Sequence, residues 1–266
     1  MTDYAKLLDI ANAAVDMASE LLRTHQPGQL TAKGDRDMAT EVDFEIERRV
    51  RAFLRDATPD IAFLGEEEGS TGDTSELMWA LDPIDGTANF VHGIPLCGTS
   101  LGLVNDSRPV LGVIDLPFLG ARYTGAEHSG AYVNDEPITA SATDNLAQAV
   151  VAIGDYAVGD NAEQRNVLRL AVTRQLATRA QRVRMHGSAA TDLAWLANGK
   201  IDALITLSNK PWDMAAGVVI AREAGAHVVD KDGSPHDLRS QATIAASPGL
   251  LTAIVEVLVD AEASLA

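Results

Sequence analysis

A chain of 266 residues with 46% hydrophobic content can bury a sizeable core, as one large domain or two ordinary ones. Its 38 acidic against 21 basic residues, a formal charge of −17, oppose nucleic-acid phosphates and anionic membranes as partners. Apolar runs such as "LITL" before Ser208 fall far short of the roughly 18 residues that span a bilayer, and the single cysteine, Cys97, excludes an internal disulfide.

From Tyr4 to Leu22 apolar residues recur at intervals of three and four, which predicts an amphipathic helix. This acidic start lacks the pattern of a secretory signal, and with the lone cysteine it reads as cytoplasmic. A second helix is predicted from about Glu41 to Asp56, with Ile46, Val50, Phe53 and Leu54 inward. "DIAFLGEE" and "LMWALDP" follow as short buried strands that deliver acids at their C-terminal ends. Between Gly98 and Ser141 the runs "TSLGLV", "PVLGVIDL", "ARYTG" and "GAYVN" alternate with turn clusters and predict an antiparallel meander. Beyond Ser141 strands ("AVVAIG", "RVRMHG", "DALITL", "AHVVD", "ATIAAS") alternate with helices (near Ala162 to Leu176, "SAATDLAWLANG", "WDMAAGVVIAREAG" and a final one), which favours an α/β half. The expected division is an N-terminal α+β domain over 1–145 with the main acidic motifs and a C-terminal α/β domain over 146–266.

The acids carry the chemistry. Asp82 and Asp85 flank Pro83, so the chain is expected to leave the strand at once and place both carboxylates at a strand-to-helix corner. Gly86 and Thr87 follow, and "TANFVHG" can start a helix whose free N–H groups face that corner, a site for an anion such as phosphate. Taken singly, Glu66, Glu67 and Glu68 read as a solvated loop, Asp82 as a helix cap and Asp85-Gly86 as a turn. Taken together, acids converging on one point repel and raise one another's pKa unless a cation sits among them, and carboxylates, a carbonyl and water suit Mg²⁺.

"GEE", "WALDPIDGTANFVHG" and the distant "WDMAAGVVIAREAGA", with "KGDRDMATEVD" before and "HGSAATDLAWLANGKID" between, resemble the inositol monophosphatase family of metal-dependent, lithium-sensitive phosphatases over nearly the whole chain. The resemblance implies an α+β fold, a layered α/β/α/β/α sandwich, a homodimer, Mg²⁺ as cofactor and a small phosphorylated alcohol as substrate. It assigns Glu66, Asp82 and the main-chain carbonyl of Ile84 to a first metal, and Asp82, Asp85 and Asp213 to a second. Without it, Asp213 after Pro211 is a favourable first-turn acid of a helix. Glu67 is implied to orient water, as are Asp43 and Thr87 through a hydrogen bond between them, although "TEVD" by itself makes Asp43 the partner of Thr40 in a capping box. Lys33 matches a lysine near the phosphate, the amides of Gly86 and Thr87 would bind its oxygens, and Gly187, Ser188 and Ala189 would face the alcohol. His186 at a strand end, His92, Cys97 and Trp195 read as structural or packing residues.

One position departs from the family. Many members carry a glutamate seven residues before the W-D aspartate, where it accepts from substrate hydroxyls; here Thr206 stands there, expected to line an open cleft with Asn209 and Lys210 as a different substrate wall. The implied reaction is hydrolysis of a phosphomonoester of the inositol 1-phosphate type by metal-activated water, with no covalent phosphoenzyme. Histidinol phosphate is an equally open substrate. A catalytically silent metal- and phosphate-binding regulatory module is the alternative of another class.

Overall fold

The computed structural model describes residues 4–35, 37–73 and 76–265; Met1 to Asp3 of the N-terminal run, Arg36 of "KGDRDMATEVD", Thr74, Ser75 and Ala266 lie outside the described residues. Helix α1 (Tyr4–Thr24) buries the stripe Ala11, Ala14, Val15, Ala18, Leu21 and Leu22. The two-stranded ribbon β1 (Leu30–Gly34) and β2 (Asp37–Thr40) leads into α2 (Glu41–Ala57), which starts at the reciprocal Thr40–Asp43 capping box expected from "TEVD".

The larger sheet contains β3 (Ala62–Gly65), β4 (Gly69–Thr71), β5 (Leu77–Asp85), β6 (Gly98–Asn105), β7 (Arg108–Leu116), β8 (Ala121–Ala126), β9 (Ala131–Val133) and β10 (Glu136–Pro137). Its order is β10-β9-β8-β7-β6-β5-β3-β4, antiparallel from β10 to β5 as the meander predicts, with β3 and β5 parallel. The short helix α3 (Thr87–Val91) follows β5.

The smaller sheet is built from β11 (Val150–Ile153), β12 (Arg182–Arg184), β13 (Ala203–Thr206), β14 (His227–Val229) and β15 (Thr243–Ala246) in the order β12-β11-β13-β15-β14. Between these strands come α4 (Ala162–Arg179), α5 (Ala189–Ala197) and α6 (Pro211–Glu223), and α7 (Leu251–Ala263) ends the chain. The strands β12, β11 and β13 are parallel, whereas β15 returns antiparallel between β13 and β14.

The layers run α1 and α2, larger sheet, α5 and α6, smaller sheet, α4 and α7. With helices on both faces, β5 is buried from Met78 to Asp85 and reads as a continuous apolar run rather than an alternating one. Small residues set the central contact: a Cβ at Gly102 or Gly112 would strike Ala215 and Ala216 of α6, and one at Gly217 would strike Leu193 of α5. The sheet and α6 therefore touch backbone to backbone, and this close approach carries the first turn of α6 to the end of β5. No helix among the described residues is long and apolar enough to cross a membrane.

Candidate active site

Parallel pairing explains why the acids meet. The register of β3 on β5 sets Gly65 beside Leu81, so the next residues, Glu66 and Asp82, emerge side by side, and the Glu66 amide donates to the Leu81 carbonyl at 3.2 Å. The expectation that Pro83 ends the strand needs correction: β5 resumes pairing at Asp85 opposite Gly98, and the Asp82–Asp85 segment is a bulge within it. An extra-residue bulge re-aims side chains without ending the sheet, which turns both carboxylates to one side. Gly86 then adopts φ 88°, and a Cβ there would sit 2.9 Å from the Leu96 carbonyl, so the turn into α3 requires glycine.

Carboxylate oxygens of Glu66, Asp82 and Asp213 lie within 4.8 Å of one another. Asp82 is 3% exposed and its Oδ1 accepts from the Ile84 amide at 3.0 Å. Asp85 is held by the Ala190 amide at 3.0 Å on Oδ2, while its Oδ1 is buried without a hydrogen-bond partner. The Ile84 carbonyl accepts from the Thr87 hydroxyl at 3.0 Å, and the same hydroxyl lies 3.3 Å from Asp43 Oδ1. Asp43 serves the capping box at the same time, through Oδ2 to the Thr40 amide at 2.8 Å. Lys33 Nζ donates to Glu66 at 2.7 Å and Glu67 at 2.9 Å, and Lys210 Nζ stands 3.8 Å from Glu66.

Six carboxylates thus face two lysines, and the titration of the acids records the imbalance. Burial first, then the charges of Glu66, Asp85 and Asp213, raise Asp82 well above the usual carboxylate range. Burial pushes Asp213 up to about 8, reinforced by Asp85, and Asp85 up to about 7 against the hydrogen bonds it accepts. Burial likewise raises Glu67 to about 7 and Asp43 to about 6. The all-oxygen donor set and the orphaned Asp85 oxygen fit a hard divalent cation, which would supply what these groups lack.

A cleft of about 350 Å³ opens from this cluster and is lined by Lys33, Glu66, Asp82, Ile84, Asp85, Gly86, Thr87, Gly187, Ser188, Ala189, Thr206, Lys210 and Asp213 among others. Ser188 caps α5, accepting from the Thr191 amide at 3.1 Å, and so presents the Gly187–Ala189 turn to the cleft. Glu67 and Asp43 stand behind this lining: the Glu67 side chain is 2% exposed and Asp43 is 1% exposed.

Several expectations change. Thr206 is 7% exposed rather than open to a wet cleft, and its hydroxyl is buried without a partner against Gly154. Asn209 leaves the wall, because its amide donates to the Asp237 and Ser240 carbonyls at 3.0 and 2.9 Å. His92 is exposed, against its reading as a packing residue. Cys97 is fully buried, with its thiol pushed up to about 12 by burial and the nearby Asp85 and Asp43 charges. His186 bonds through Nδ1 to Asp192 at 2.5 Å and meets Trp195 edge-on, so it braces the wall.

Residues that the sequence reading passed over also line the cleft, notably Asp155, Tyr156, Arg169 and Asp192. Asp192 hides as a first-turn acid of α5, and Asp155 sits in the loop after β11 with no spacing signal to mark it. Asn89 of α3 was missed too; its amide donates to both the Leu96 and the His186 carbonyls at 2.7 Å and ties α3 to the alcohol-side turn.

Comparison with known proteins decides the assignment. The profile of the inositol monophosphatase family matches residues 3–263. The chain belongs to the inositol monophosphatase family. It is a phosphoric monoester hydrolase, and the metal dependence of the family agrees with the acidic cluster. The probable inositol 1-monophosphatase ImpA of Mycobacterium tuberculosis is 38% identical over 255 residues, covering 96% of this chain and 94% of that protein. The fructose-1,6-bisphosphatase/inositol-1-monophosphatase of Aquifex aeolicus is 32% identical over 229 residues, 85% of this chain and 86% of that one. Among solved structures, the IMPase of Thermotoga maritima superposes with a TM-score of 0.89 at 30% identity, covering 98% of this chain and all (100%) of that chain. Inositol monophosphatases therefore share the layered α+β sandwich described above.

Proposed function

We propose that the protein is a Mg²⁺-dependent phosphomonoesterase that hydrolyses small phosphorylated alcohols of the inositol 1-phosphate type. The observation that carries this reading is the convergence of Glu66, Asp82 and Asp213 within 4.8 Å beside the orphaned Asp85 oxygen. Glu66, Asp82, Asp85, Asp213 and the Ile84 carbonyl would hold the cation. When bound, the cation supplies Lewis-acid polarisation of the phosphate, activation of the attacking water and neutralisation of the leaving oxygen.

The chain's own residues do the rest. The amides of Gly86 and Thr87 offer hydrogen bonds to phosphate oxygens at the mouth of the bulge. Lys33 is held above its ordinary pKa, because Glu66 and Glu67 outweigh the burial that would lower it, and it stays cationic beside the phosphate position. Glu67, buried and pushed up to about 7, can take a proton from water near neutrality. The Thr87 hydroxyl, shared between the Ile84 carbonyl and Asp43, is oriented to hold that water in line.

The alcohol end supports a broad substrate range. Thr206 offers no carboxylate, and Asp155 has no hydrogen-bond or ion-pair partner among the described residues while its charge reaches Asp192 across the cleft. An unpaired carboxylate in that position accepts from hydroxyls or pairs with an ammonium, so histidinol phosphate is the second reading. Phosphate release from a panel comprising inositol 1-phosphate, glycerol 2-phosphate, histidinol phosphate and p-nitrophenyl phosphate, with Mg²⁺ or with excess chelator, tests both. Full turnover in chelator would refute the cation; no turnover of any ester with Mg²⁺ would favour a silent module.

A further inference from the structure

Helix α2 carries a second buried carboxylate one turn beyond Asp43. Glu47 has a side chain that is 0% exposed, on the helix stripe that continues through Val50 and Leu54 into the core. An acid at such a position needs full compensation. It finds it in the acidic turn: Oε2 accepts from the Glu67 amide at 2.8 Å and Oε1 from the Glu68 amide at 2.9 Å. Arg51, one turn on, pairs with Oε1 at 2.5 Å and donates to the Gly69 carbonyl at 2.9 Å, closing the far side of the turn. Gly65, immediately before the turn, leaves the space that the carboxylate fills; a Cβ there would collide with it.

Asp43 and Glu47 lie four residues apart on one face of α2, so one helix grips both acid-bearing segments. Asp43 meets Thr87 in the Asp82–Thr87 segment, and Glu47 meets the backbone of residues 66–68. We propose that Glu47 is a positioning residue for the cation site: its carboxylate, clamped on the Glu67 and Glu68 amides, fixes the direction in which Glu66 and Glu67 enter the cluster. The inference rests on the cation reading above and deepens it, since Glu47 itself touches neither cation nor substrate.

Glu47→Gln tests it with little change of volume. Each carboxylate oxygen accepts a backbone N–H, so either orientation of the amide sets an NH₂ donor against another donor. Gly65→Ala displaces the carboxylate without altering Glu47, and Val50→Ala on the same helix provides a purely structural loss for comparison. Calorimetric titration with Mg²⁺, together with the Mg²⁺-induced rise in Tm, should show Kd weakened by about tenfold in Glu47→Gln and in Gly65→Ala, the order of effect seen when a ligand's supporting hydrogen bond is removed. Val50→Ala should lower Tm and leave Kd unchanged, and kcat at saturating Mg²⁺ should fall by less than about threefold in Glu47→Gln. A Kd equal to wild type in Glu47→Gln overturns the proposal; if that variant does not fold, an unchanged Kd in Gly65→Ala overturns it. Wild-type protein that binds no Mg²⁺ would sink the cation reading itself, a result separable from the failure of Glu47 alone.

Discussion

The two ends of the cleft are built differently. At the acidic end each of these side chains in the bulge and turn has a brace: Asp82 by the Ile84 amide, Asp85 by the Ala190 amide, Thr87 by the Ile84 carbonyl, Glu66 and Glu67 by Lys33. Asp85 Oδ1, buried with no hydrogen-bond partner, is one a cation can satisfy. At the alcohol end the Thr206 hydroxyl is orphaned and Asp155 has no partner among the described residues, although His186 is closed on Asp192 and Ser188 on the Thr191 amide. On the reading proposed above, the braced end suits the phosphate that small phosphorylated substrates share, and the less constrained end takes its remaining partners from the alcohol.

The largest effect should come from breaking the braced end. Asp82→Asn removes a buried carboxylate of the cluster and should lower kcat/KM by at least about a thousandfold, roughly 4 kcal/mol of transition-state stabilisation. The lesion is chemical rather than structural, because burial and the charges of Glu66, Asp85 and Asp213 already disfavour the ionised form of Asp82 without a cation. In chelator the variant should therefore melt no lower than wild type. Retained turnover would remove Asp82 from the cation site.

The same end should impose a pH dependence of its own. Asp85 and Asp213, pushed by burial up to about 7 and about 8, titrate in the folded protein far above the unfolded value near 4. A carboxyl with a raised folded pKa contributes stability that is complete below its unfolded value and is lost as pH rises through its folded value. Chelated protein should accordingly lose Tm as pH rises above about 4, most steeply between about pH 5 and about pH 6.5, where both groups are ionised in the unfolded chain and still protonated in the folded one, and the loss should level off by about pH 9. Saturating Mg²⁺ should flatten that slope, since a bound cation favours the ionised forms. Parallel melting curves across that range in chelator and in Mg²⁺ make the comparison, and a flat chelated series would contradict the electrostatics of the cluster.

What the sequence made legible follows the same division. At the acidic end the Thr40–Asp43 box had a local signature in "TEVD", whereas the Asp82–Asp85 bulge read as a strand end and Asp213 entered only through the resemblance. Most helices and strands were readable from their apolar runs, α6 included, whose small residues fit the close approach to β6 and β7, but the β1–β2 ribbon and β4 were not expected. Asp155, Arg169 and Asp192 were not, because only the packing of the smaller sheet against α4 and α5 brings three distant polar residues to one wall. Glu47 had a signal that went unused: a carboxylate on the same helix stripe as Val50 and Leu54 must find a buried partner. Asn209 misled because proximity in sequence to Asp213 says nothing of its bonds to the 237–240 loop.

A more modest effect should sharpen the picture of the unfinished end. If Asp155 accepts from substrate hydroxyls, Asp155→Asn should lower kcat/KM for inositol 1-phosphate by about tenfold, the loss of one charge-assisted hydrogen bond of roughly 1.5 kcal/mol. Hydrolysis of p-nitrophenyl phosphate, which has no hydroxyl to offer, should stay within about twofold of wild type. Equal losses on both esters would mean that the residue acts on the phosphate end or on folding, and the contrast between the ends would fail there.

The smallest effect concerns Thr206, where a hydroxyl is buried against Gly154 with nothing to bond. A buried hydroxyl without a partner costs about 1–3 kcal/mol, and valine keeps the shape while removing the polar atom. Thr206→Val should therefore stabilise the free protein by about 1 kcal/mol, measured by denaturant titration. The same change separates two uses of the hydroxyl. If a polyol substrate completes it, KM for inositol 1-phosphate should rise by about fivefold, corresponding to about 1 kcal/mol, with kcat nearly unchanged, because the bond would form in ground and transition states alike. If the hydroxyl stays unbonded in the complex, the variant should be more stable and kinetically indistinguishable from wild type, and the selectivity of this end would then lie with Asp155 and the Gly187–Ala189 turn rather than with the position where the family usually places a glutamate. A variant that loses stability would show instead that the hydroxyl has a partner in solution, and Thr206 would join the braced part of the cleft.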